Sequence, residues 1–196
     1  MPKIVDHDER RSEVLEATWR VIRRSGLEGA TVREIAREAG FSNGVLAHYF
    51  KDKNDILVQA HKLAFDRVYE RVSKATSEQS GVELLRTMLY EALPLDEQRL
   101  IEAIVDVSFL GRSLYDADLK KVRMESAANA RIWWAAHLTQ LKEDGLLKAD
   151  VDVELVSDWI FAAIEGISVE AVLFPELMDA ALQQRIADDL VMRICT

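Results

Sequence analysis

The sequence of 196 residues contains one cysteine, three prolines and eight glycines. Cys195 has no second cysteine with which to form an internal disulfide, as is typical of proteins from a reducing compartment. The scarcity of proline and glycine argues against long disordered segments. A hydrophobic fraction of 49% and a charged fraction of 30% indicate a globular chain with one sizeable core or two small ones.

The sequence also lacks an apolar stretch that is long enough to cross a membrane. Its most apolar stretch, residues 159–174, is interrupted by Glu165 and Glu170. No basic and then apolar leader with a small-residue cleavage site is present. We therefore expect a cytoplasmic protein that does not associate with membranes.

Motifs for catalysis and metal binding are missing as well. The four histidines, His7, His48, His61 and His137, form no H-x-x-x-H pair and no pair with the cysteine. Neither a G-x-S-x-G elbow nor a phosphate-binding glycine loop is found. The sequence therefore predicts no metal site, no cofactor and no enzymatic activity.

The net charge of −9 is distributed unevenly along the chain. Residues 1–53 carry ten basic and nine acidic side chains, so the negative excess lies in the remainder. Because acidic surfaces repel phosphates, only the N-terminal segment has a charge compatible with nucleic acid. Such a near-neutral segment is by itself weak evidence for DNA binding.

Residues 31–57 have the pattern of two short helices joined by a tight turn. Thr31-x-x-Glu34 predicts a capping box, in which the hydroxyl and the carboxylate each accept a backbone amide. The small Ala36 allows a close helix crossing, Gly40 suits a left-handed turn, and Ser42 can cap the second helix. This pattern predicts a helix-turn-helix, whose second helix enters a DNA major groove.

The outward side chains of this second helix and its flanks are the candidate DNA contacts. Asn43 can form two hydrogen bonds with a base edge, and Ala47 can contact a thymine methyl group. Neighbouring hydroxyl and cationic groups can bind phosphates. The candidate DNA-binding residues are Thr31, Arg33, Ser42, Asn43, Gly44, Ala47, His48, Tyr49 and Lys53.

The same segment resembles the TetR/AcrR family of bacterial transcriptional regulators. Its sequence from His48 to Asn54 is similar to that of the family branch that contains choline-responsive repressors of betaine synthesis. Members usually have a phosphate-contacting Tyr at the position of Ala47. The resemblance implies a three-helix head, a six-helix body with a small-molecule pocket, and repression that a ligand relieves. The matching residues are Thr31, Ile35-Ala36, Ala39-Gly40, Ser42, Gly44, Tyr49-Phe50, Lys53 and Leu57.

The periodicity of the remaining sequence predicts an all-α fold of about nine helices. We expect a DNA-binding domain at residues 1–51 and a ligand-binding and dimerisation domain at residues 52–196, joined without a flexible linker. Residues 1–8 are expected to be loose. In the N-terminal part we predict a helix over residues 9–25 that ends at Gly26, and then the two helices of the helix-turn-helix. In the body we predict a helix from Asp52 to about residue 77 and a second that begins with a Ser80-x-x-Glu83 capping box and ends at Pro94. The remaining predicted helices are Asp96 to Gly111, about 116–145, 152–173, and a last one that begins at Pro175.

The last two predicted helices have more apolar surface than one chain can cover. Residues 152–173 are apolar almost all round, and the final helix has a wide apolar stripe. This surplus predicts a homodimer, in which a two-fold copy completes a four-helix bundle. The candidate interface residues are Trp159, Ile164, Gly166, Ile167, Leu182, Ile186 and Leu190.

Aromatic residues and one acid in the body allow two interpretations. Aromatics at helical spacing commonly fill helix junctions, and Glu165 can be a salt-bridged or interface carboxylate. Alternatively, Trp-rich walls with an acid nearby form a pocket for a cationic or aromatic ligand. The candidate ligand-binding residues are Phe65, Phe109, Trp134, His137, Phe161 and Glu165.

Three functions compete at this point. The first is a repressor that binds a palindromic operator as a dimer and is released by a small organic inducer. The second is a non-inducible DNA-binding or interaction module with a packed body. The third is a helical-bundle enzyme, which the missing catalytic motifs disfavour. A cavity in the body would distinguish the first from the second.

Overall fold

The computed structural model describes residues 7–76 and 79–196, and within these ranges the regular secondary structure consists of nine helices and one isolated β-bridge between Leu147 and Cys195. The all-α prediction and the predicted number of helices are therefore confirmed. No helix in the described ranges is long and apolar enough to span a membrane. The helices are α1 His7–Gly29, α2 Val32–Ala39, α3 Asn43–Tyr49, α4 Lys53–Thr76, α5 Gly81–Ala92, α6 Glu97–Ser113, α7 Ala117–Glu143, α8 Val153–Leu173 and α9 Ala180–Ile194.

Aspartate caps define where most of the body helices begin. In each case a carboxylate oxygen accepts a hydrogen bond from an amide of the first turn, at 2.8–3.2 Å. The predicted starts of α4, α6 and α8 are confirmed in this way. The capping residues are Asp52, Asp96, Asp116, Asp152 and Asp179.

Two helix boundaries differ from the prediction, while the predicted end of the first helix at Gly26 is confirmed. Gly26 leaves helical geometry with a φ of 67° and a ψ of 176°, and the part of α1 that follows it is a separate short helical turn. α6 continues past Gly111 to Ser113, since glycine inside a helix costs only about 1 kcal/mol. The predicted start of the last helix at Pro175 was wrong, because that residue lies in a turn and α9 begins at Ala180. Residues 1–6 of the segment expected to be loose lie outside the described residues, as does residue 77.

The two predicted capping boxes form only in part. The Thr31 hydroxyl accepts the Glu34 amide at 3.2 Å, but the Glu34 carboxylate bonds to Arg37 at 2.6 Å instead of reaching back. The side chain of Ser80 makes no cap hydrogen bond, and Glu83 pairs with an arginine of the next turn. In both places an (i, i+3) ion pair competes for the glutamate that the box would use.

Two hydrophobic clusters, which we call the head core and the body core, both include residues of α4. The body core is formed by Val72 of α4 with buried residues of α5, α7, α8 and α9. The head core comprises residues of α1–α3 together with Ala60 and Ala64 of α4 and Val105 of α6. The indole Nε1 of Trp19 donates a hydrogen bond to the carbonyl of Ala60 at 2.9 Å, which fixes α1 against α4. The domain boundary after residue 51 stays a prediction, because the first half of α4 packs into the head core.

Candidate DNA-binding face and ligand cavity

The corner between α2 and α3 has the geometry of a tight left-handed turn. Gly40 has a φ of 75°, and the next amide, that of Phe41, bonds to the Ala36 carbonyl at 2.9 Å. The Ser42 side chain accepts an amide of the first turn of α3 at 3.3 Å. Leu46, which is 1% exposed, then anchors α3 in the head core. These contacts hold α3 on the surface of the head at a fixed angle to α2.

Seven of the nine candidate DNA-binding residues are exposed on this head. The other two are half-buried: the ring of Tyr49 lies against that of His7, and the Nζ of Lys53 lies 3.5 Å from the Glu28 carbonyl. The exposed residues lie at the start of α2 and along α3. They are Thr31, Arg33, Ser42, Asn43, Gly44, Ala47 and His48.

Arg11 fixes the far end of α3 and was missed by the sequence analysis. Its Nη1 donates to the carbonyl of Tyr49 at 3.0 Å, and its Nη2 donates to the side chain of Gln59 on α4. The guanidinium also lies over the ring of Phe50, 5.2 Å from the centroid. One α1 side chain therefore ties α3 to α4, and so positions α3 without itself being part of the exposed face.

A cavity of about 90 Å³ lies in the body among α4, α5, α6, α7 and α8. Four of the six candidate ligand-binding residues line it, one from α4, one from α7 and two from α8. The structure thus brings together side chains that are up to 100 residues apart in the sequence. These four residues are Phe65, Trp134, Phe161 and Glu165.

The other two candidates, Phe109 and His137, do not line the cavity. Phe109 is buried and stacks on the ring of His61, with 4.2 Å between the centroids. The Nδ1 of His137 lies 2.9 Å from the carbonyl of Trp133, one turn earlier on α7. The sequence analysis proposed both as ligand contacts because of their residue type. Which side chains face the cavity depends instead on the rotation of α6 and α7 about their axes.

The cavity wall contains five aromatic and four acidic side chains, several of which the sequence analysis missed. A sequence signal for two of these acids did exist: Glu102 and Asp106 are one helical turn apart in the mainly apolar middle of α6, residues 100–111. Within the described part of the chain, no group of three His, Cys, Asp or Glu residues is suited to a metal ion. The lining residues that were missed include Tyr69, Trp133, Glu91, Arg99, Glu102 and Asp106.

The first group of ion pairs at the cavity joins α4, α5 and α6. Arg71 binds both oxygens of Glu102 at 2.9 and 3.0 Å, and its Nε lies 2.7 Å from Glu91. Arg99 lies 3.4 Å from the same Glu91 carboxylate. The two glutamates of this group are therefore each matched by a guanidinium.

The second group joins α4, α6, α7 and α8. Arg123 forms ion pairs with Asp106, at 3.4 Å, and with Glu165. The Nδ1 of His61 lies 3.3 Å from Asp106. Burial lowers the pKa of His61 to about 3, an effect that the charge of Arg123 reinforces, so this imidazole is neutral at pH 7. Burial also raises the pKa of Asp106 to about 7.

The cavity and the head core lie against adjacent faces of the same two helices. On α6, Val105 packs into the head core, while its neighbour Asp106 lines the cavity. On α4, Ala64 belongs to the head core and also lines the cavity, next to Phe65. A change at the cavity wall therefore acts on helices that also pack against α1–α3.

The candidate dimer face is formed by α8 and α9. A shallow apolar groove of about 100 Å³ lies between these helices and α5, and Ile164 lines both this groove and the ligand cavity. Trp159 remains 48% exposed, and a Cβ at Gly166 would meet no atom of its own chain within 4 Å. The other candidates are buried or half-buried already, namely Ile167, Leu182, Ile186 and Leu190.

Comparison with known proteins links both parts of the chain to transcriptional regulators. Residues 14–73 match the bacterial regulatory proteins of the TetR family, and residues 81–196 match the C-terminal domain of BetI-type transcriptional repressors. The regulator PksA of Bacillus subtilis (strain 168) is 32% identical, covering 100% of this chain and 94% of PksA. BetI of Vibrio campbellii is 29% identical, covering 96% of this chain and 94% of BetI.

A solved structure has the same fold. The crystal structure of a Saccharomonospora viridis protein in complex with choline superposes with a TM-score of 0.82, at 22% identity, over 96% of this chain and 99% of that one. TetR-family regulators bind DNA as dimers and respond to small molecules. The two family matches and the full-length similarity to PksA show that this chain belongs to the TetR family of transcriptional regulators, with a C-terminal domain of the BetI repressor type.

Proposed function

We propose that this regulator represses transcription by binding a palindromic operator as a homodimer, and that a small organic cation in the body cavity releases it. The observation that carries the proposal is the position of the cavity, whose walls include α4 and α6, the two body helices that also pack into the head core. Such an arrangement supports ligand response over the alternative of a non-inducible module with a packed body.

The exposed face of α3 supports the DNA-binding half of the proposal. Asn43 and His48 are exposed on a helix that Leu46 and Arg11 hold in place. A helix held in this way can enter the major groove and present its side chains to base edges. Ala47 offers a methyl group there, while the hydroxyls and cations at the flanks of α3 reach phosphates.

Two substitutions on this face are expected to have different effects. Asn43→Ala should cost about 1–3 kcal/mol on the operator and relax base preference at one position, since it removes a base contact. Lys53→Ala should weaken binding to all sequences alike and flatten the salt dependence, since it removes a phosphate contact. Fluorescence anisotropy titrations at several salt concentrations, on DNA from beside the gene, measure both effects.

A matched control is Lys62→Ala, which removes an exposed lysine of α4 away from the head surface. It should leave the affinity for DNA unchanged. If Asn43→Ala and Lys53→Ala also bind like the unmodified protein, then this face does not read the operator.

The composition of the cavity wall supports a cationic ligand. Aromatic faces attract cations, and here Trp133 and Trp134 meet edge to face with 5.1 Å between their centroids, beside Tyr69. Four carboxylates line the same wall, and three arginines, Arg71, Arg99 and Arg123, pair with them. A volume of about 90 Å³ suits a molecule of a few heavy atoms. The relative that was crystallised with choline makes this quaternary ammonium a suitable first probe.

Release follows if the ligand prefers one of two conformations of the body. A ligand at Phe65 and Asp106 presses on α4 and α6, which also pack into the head core. A small tilt there changes the spacing of the two heads of a dimer, which must remain about 34–36 Å, or a multiple of it, to read successive major grooves. We expect a coupling free energy of about 1–3 kcal/mol between ligand and operator.

The test is a paired titration of operator DNA with and without 10 mM choline, about the concentration at which a weak site saturates. We expect choline to lower operator affinity by about 5–150-fold. Trp133→Leu keeps an apolar side chain but removes an aromatic face, so it should weaken choline binding by about 0.5–2 kcal/mol. Neutral 3,3-dimethylbutan-1-ol, an isostere of choline without its charge, should lose little affinity from the same substitution.

Two results would contradict the proposal in different ways. If choline binds but operator affinity does not change, the cavity is not coupled to the head and the non-inducible module is favoured. If the neutral isostere binds as well as choline, the cavity does not select a cation.

A further inference from the structure

The four carboxylates that line the cavity outnumber by one the arginines that pair with them. The group built on Arg71 and Arg99 has two cavity-lining carboxylates for two guanidiniums, and Arg99 also binds the more exposed Asp96, outside the lining, at 2.8 Å. The other group sets Asp106 and Glu165 against Arg123 alone. Because a buried charge is costly unless it is paired, this second group has a deficit of one positive charge.

Within residues 7–76 and 79–196, no neighbouring group supplies the missing charge. His61, from α4, is fully buried, and its lowered pKa of about 3 keeps it neutral, while Lys62 beside it is exposed. Glu102, on α6 itself, is bound by its own arginine in the first group. The ion pairs that α1 makes with α6 involve Glu97 and Arg112, at the two ends of that helix.

The site also has polar atoms with unused bonding capacity. The Asp106 side chain is 15% exposed, and its Oδ1 has no hydrogen-bond partner. Arg123 is 6% exposed, and its Nε and Nη1 are without a partner as well. Burial is the main cause that raises the pKa of Asp106 to about 7. The charge of Arg123 lowers this pKa, whereas Glu165 raises it further through its charge and a hydrogen bond. Asp106 therefore holds its proton over part of the neutral pH range.

We propose that the cavity exchanges one proton for one organic cation. The incoming cation replaces the proton that Asp106 shares with Glu165, and this proton passes to the solvent. Before exchange, Arg123 faces one carboxylate and one carboxylic acid; afterwards Arg123 and the cation face two carboxylates. The charge of the site is the same in both states, and one O–H bond is the only bond broken. The inference rests on the proposed function and adds that induction depends on pH.

The exchange predicts both a sign and a size for this dependence. A carboxyl group with a pKa of about 7 must lose its proton before the cation binds, so acid competes with the ligand. Choline should therefore bind about tenfold more weakly at pH 6 than at pH 8. The neutral isostere 3,3-dimethylbutan-1-ol displaces no proton, so its affinity should not rise with pH.

Isothermal titration calorimetry of the full chain with choline tests the exchange. Titrations at pH 6.3 in two buffers of different ionisation enthalpy, phosphate and ACES, should show release of most of one proton per choline. Asp106→Asn leaves Arg123 matched by Glu165 alone, so proton release should disappear. Glu97→Gln, on the same helix but with an exposed side chain, should release protons like the unmodified protein.

Each outcome bears on a defined part of the inference. Choline binding without proton release, and with equal affinity at pH 6 and pH 8, would overturn the exchange but leave a cation-responsive regulator intact. Failure of both choline and tetramethylammonium to bind at either pH would overturn the proposed ligand class and the exchange together. If Asp106→Asn does not fold, the number of protons that the unmodified protein releases in the two buffers still tests the exchange. Release of no proton would contradict it.

Discussion

Replacing Ile186 by arginine is expected to separate the proposed dimer and to lower operator affinity by about 10²–10⁴-fold. Ile186 lines the apolar groove between α5, α8 and α9, and it is only half-buried within its own chain. An arginine there remains solvated in the monomer, but a two-fold interface would bury two unpaired guanidiniums. A monomer binds the operator through one head only. It therefore loses the gain in affinity that a dimer has because binding of the first head places the second at a high effective concentration near the DNA.

Sedimentation velocity at micromolar concentration, together with operator titration, measures this effect. The matched control is Ile132→Arg on α7, where the isoleucine is 68% exposed and lies outside the proposed interface. The control should stay dimeric and bind DNA normally. A dimeric Ile186→Arg protein, or an unmodified chain that sediments as a monomer, would show that α8 and α9 do not form the interface.

Gly166 gives an independent test of the same interface. A side chain there meets nothing in its own chain, so Gly166→Leu should fold but clash with a partner that crosses at this point. Gly111→Leu is the matched control, because Gly111 also lies within a helix and a Cβ there meets no atom within 4 Å. Loss of dimer in the first variant alone would support a close crossing at Gly166.

The local geometry of the head was predictable because it depends on short-range sequence signals. The left-handed Gly40, the Ser42 cap and the buried Leu46 each follow from a residue type at a fixed separation from its neighbours. The prediction failed where a nearby charge competed for a capping group. Glu34 bonds to Arg37 instead of closing its capping box, and this choice depends on side-chain geometry that the motif does not encode.

The cavity was predictable only in part because it is made by long-range packing. Phe65, Trp134 and Phe161, three of the aromatics expected around a ligand, line one cavity, as aromatics that fill the junctions between helices often do. Their contact with a ligand stays a prediction. The acidic wall was missed because the rotation of α6 decides that Asp106 faces inward and Phe109 faces His61. Glu165 unites the two interpretations left open by the sequence, because it pairs with Arg123 and also lines the cavity.

Replacing Arg123 by leucine is expected to lower the free energy of unfolding by about 3–5 kcal/mol at pH 8. The substitution leaves the Asp106 and Glu165 carboxylates close together in a buried site without a cation, and breaking a buried pair in this way has a cost of that size. Arg131→Leu is the matched control on the same helix. Arg131 also lies over the ring of Phe161, at 4.1 Å, but its ion pair with an aspartate is exposed, so about 1 kcal/mol should be lost.

The pH dependence of the Arg123→Leu protein separates lost charge from lost packing. Arg123 opposes the upward shift in the pKa of Asp106, so its removal raises this pKa further. A carboxyl group whose pKa is higher in the folded state than in the unfolded state loses stability as the pH rises through the folded value. The deficit of the variant should therefore be smaller at pH 5, where Asp106 is protonated and uncharged, than at pH 8. Urea denaturation at both values measures it, and a deficit that does not vary with pH would assign the effect of Arg123 to packing against Phe65 and Phe161 rather than to its charge.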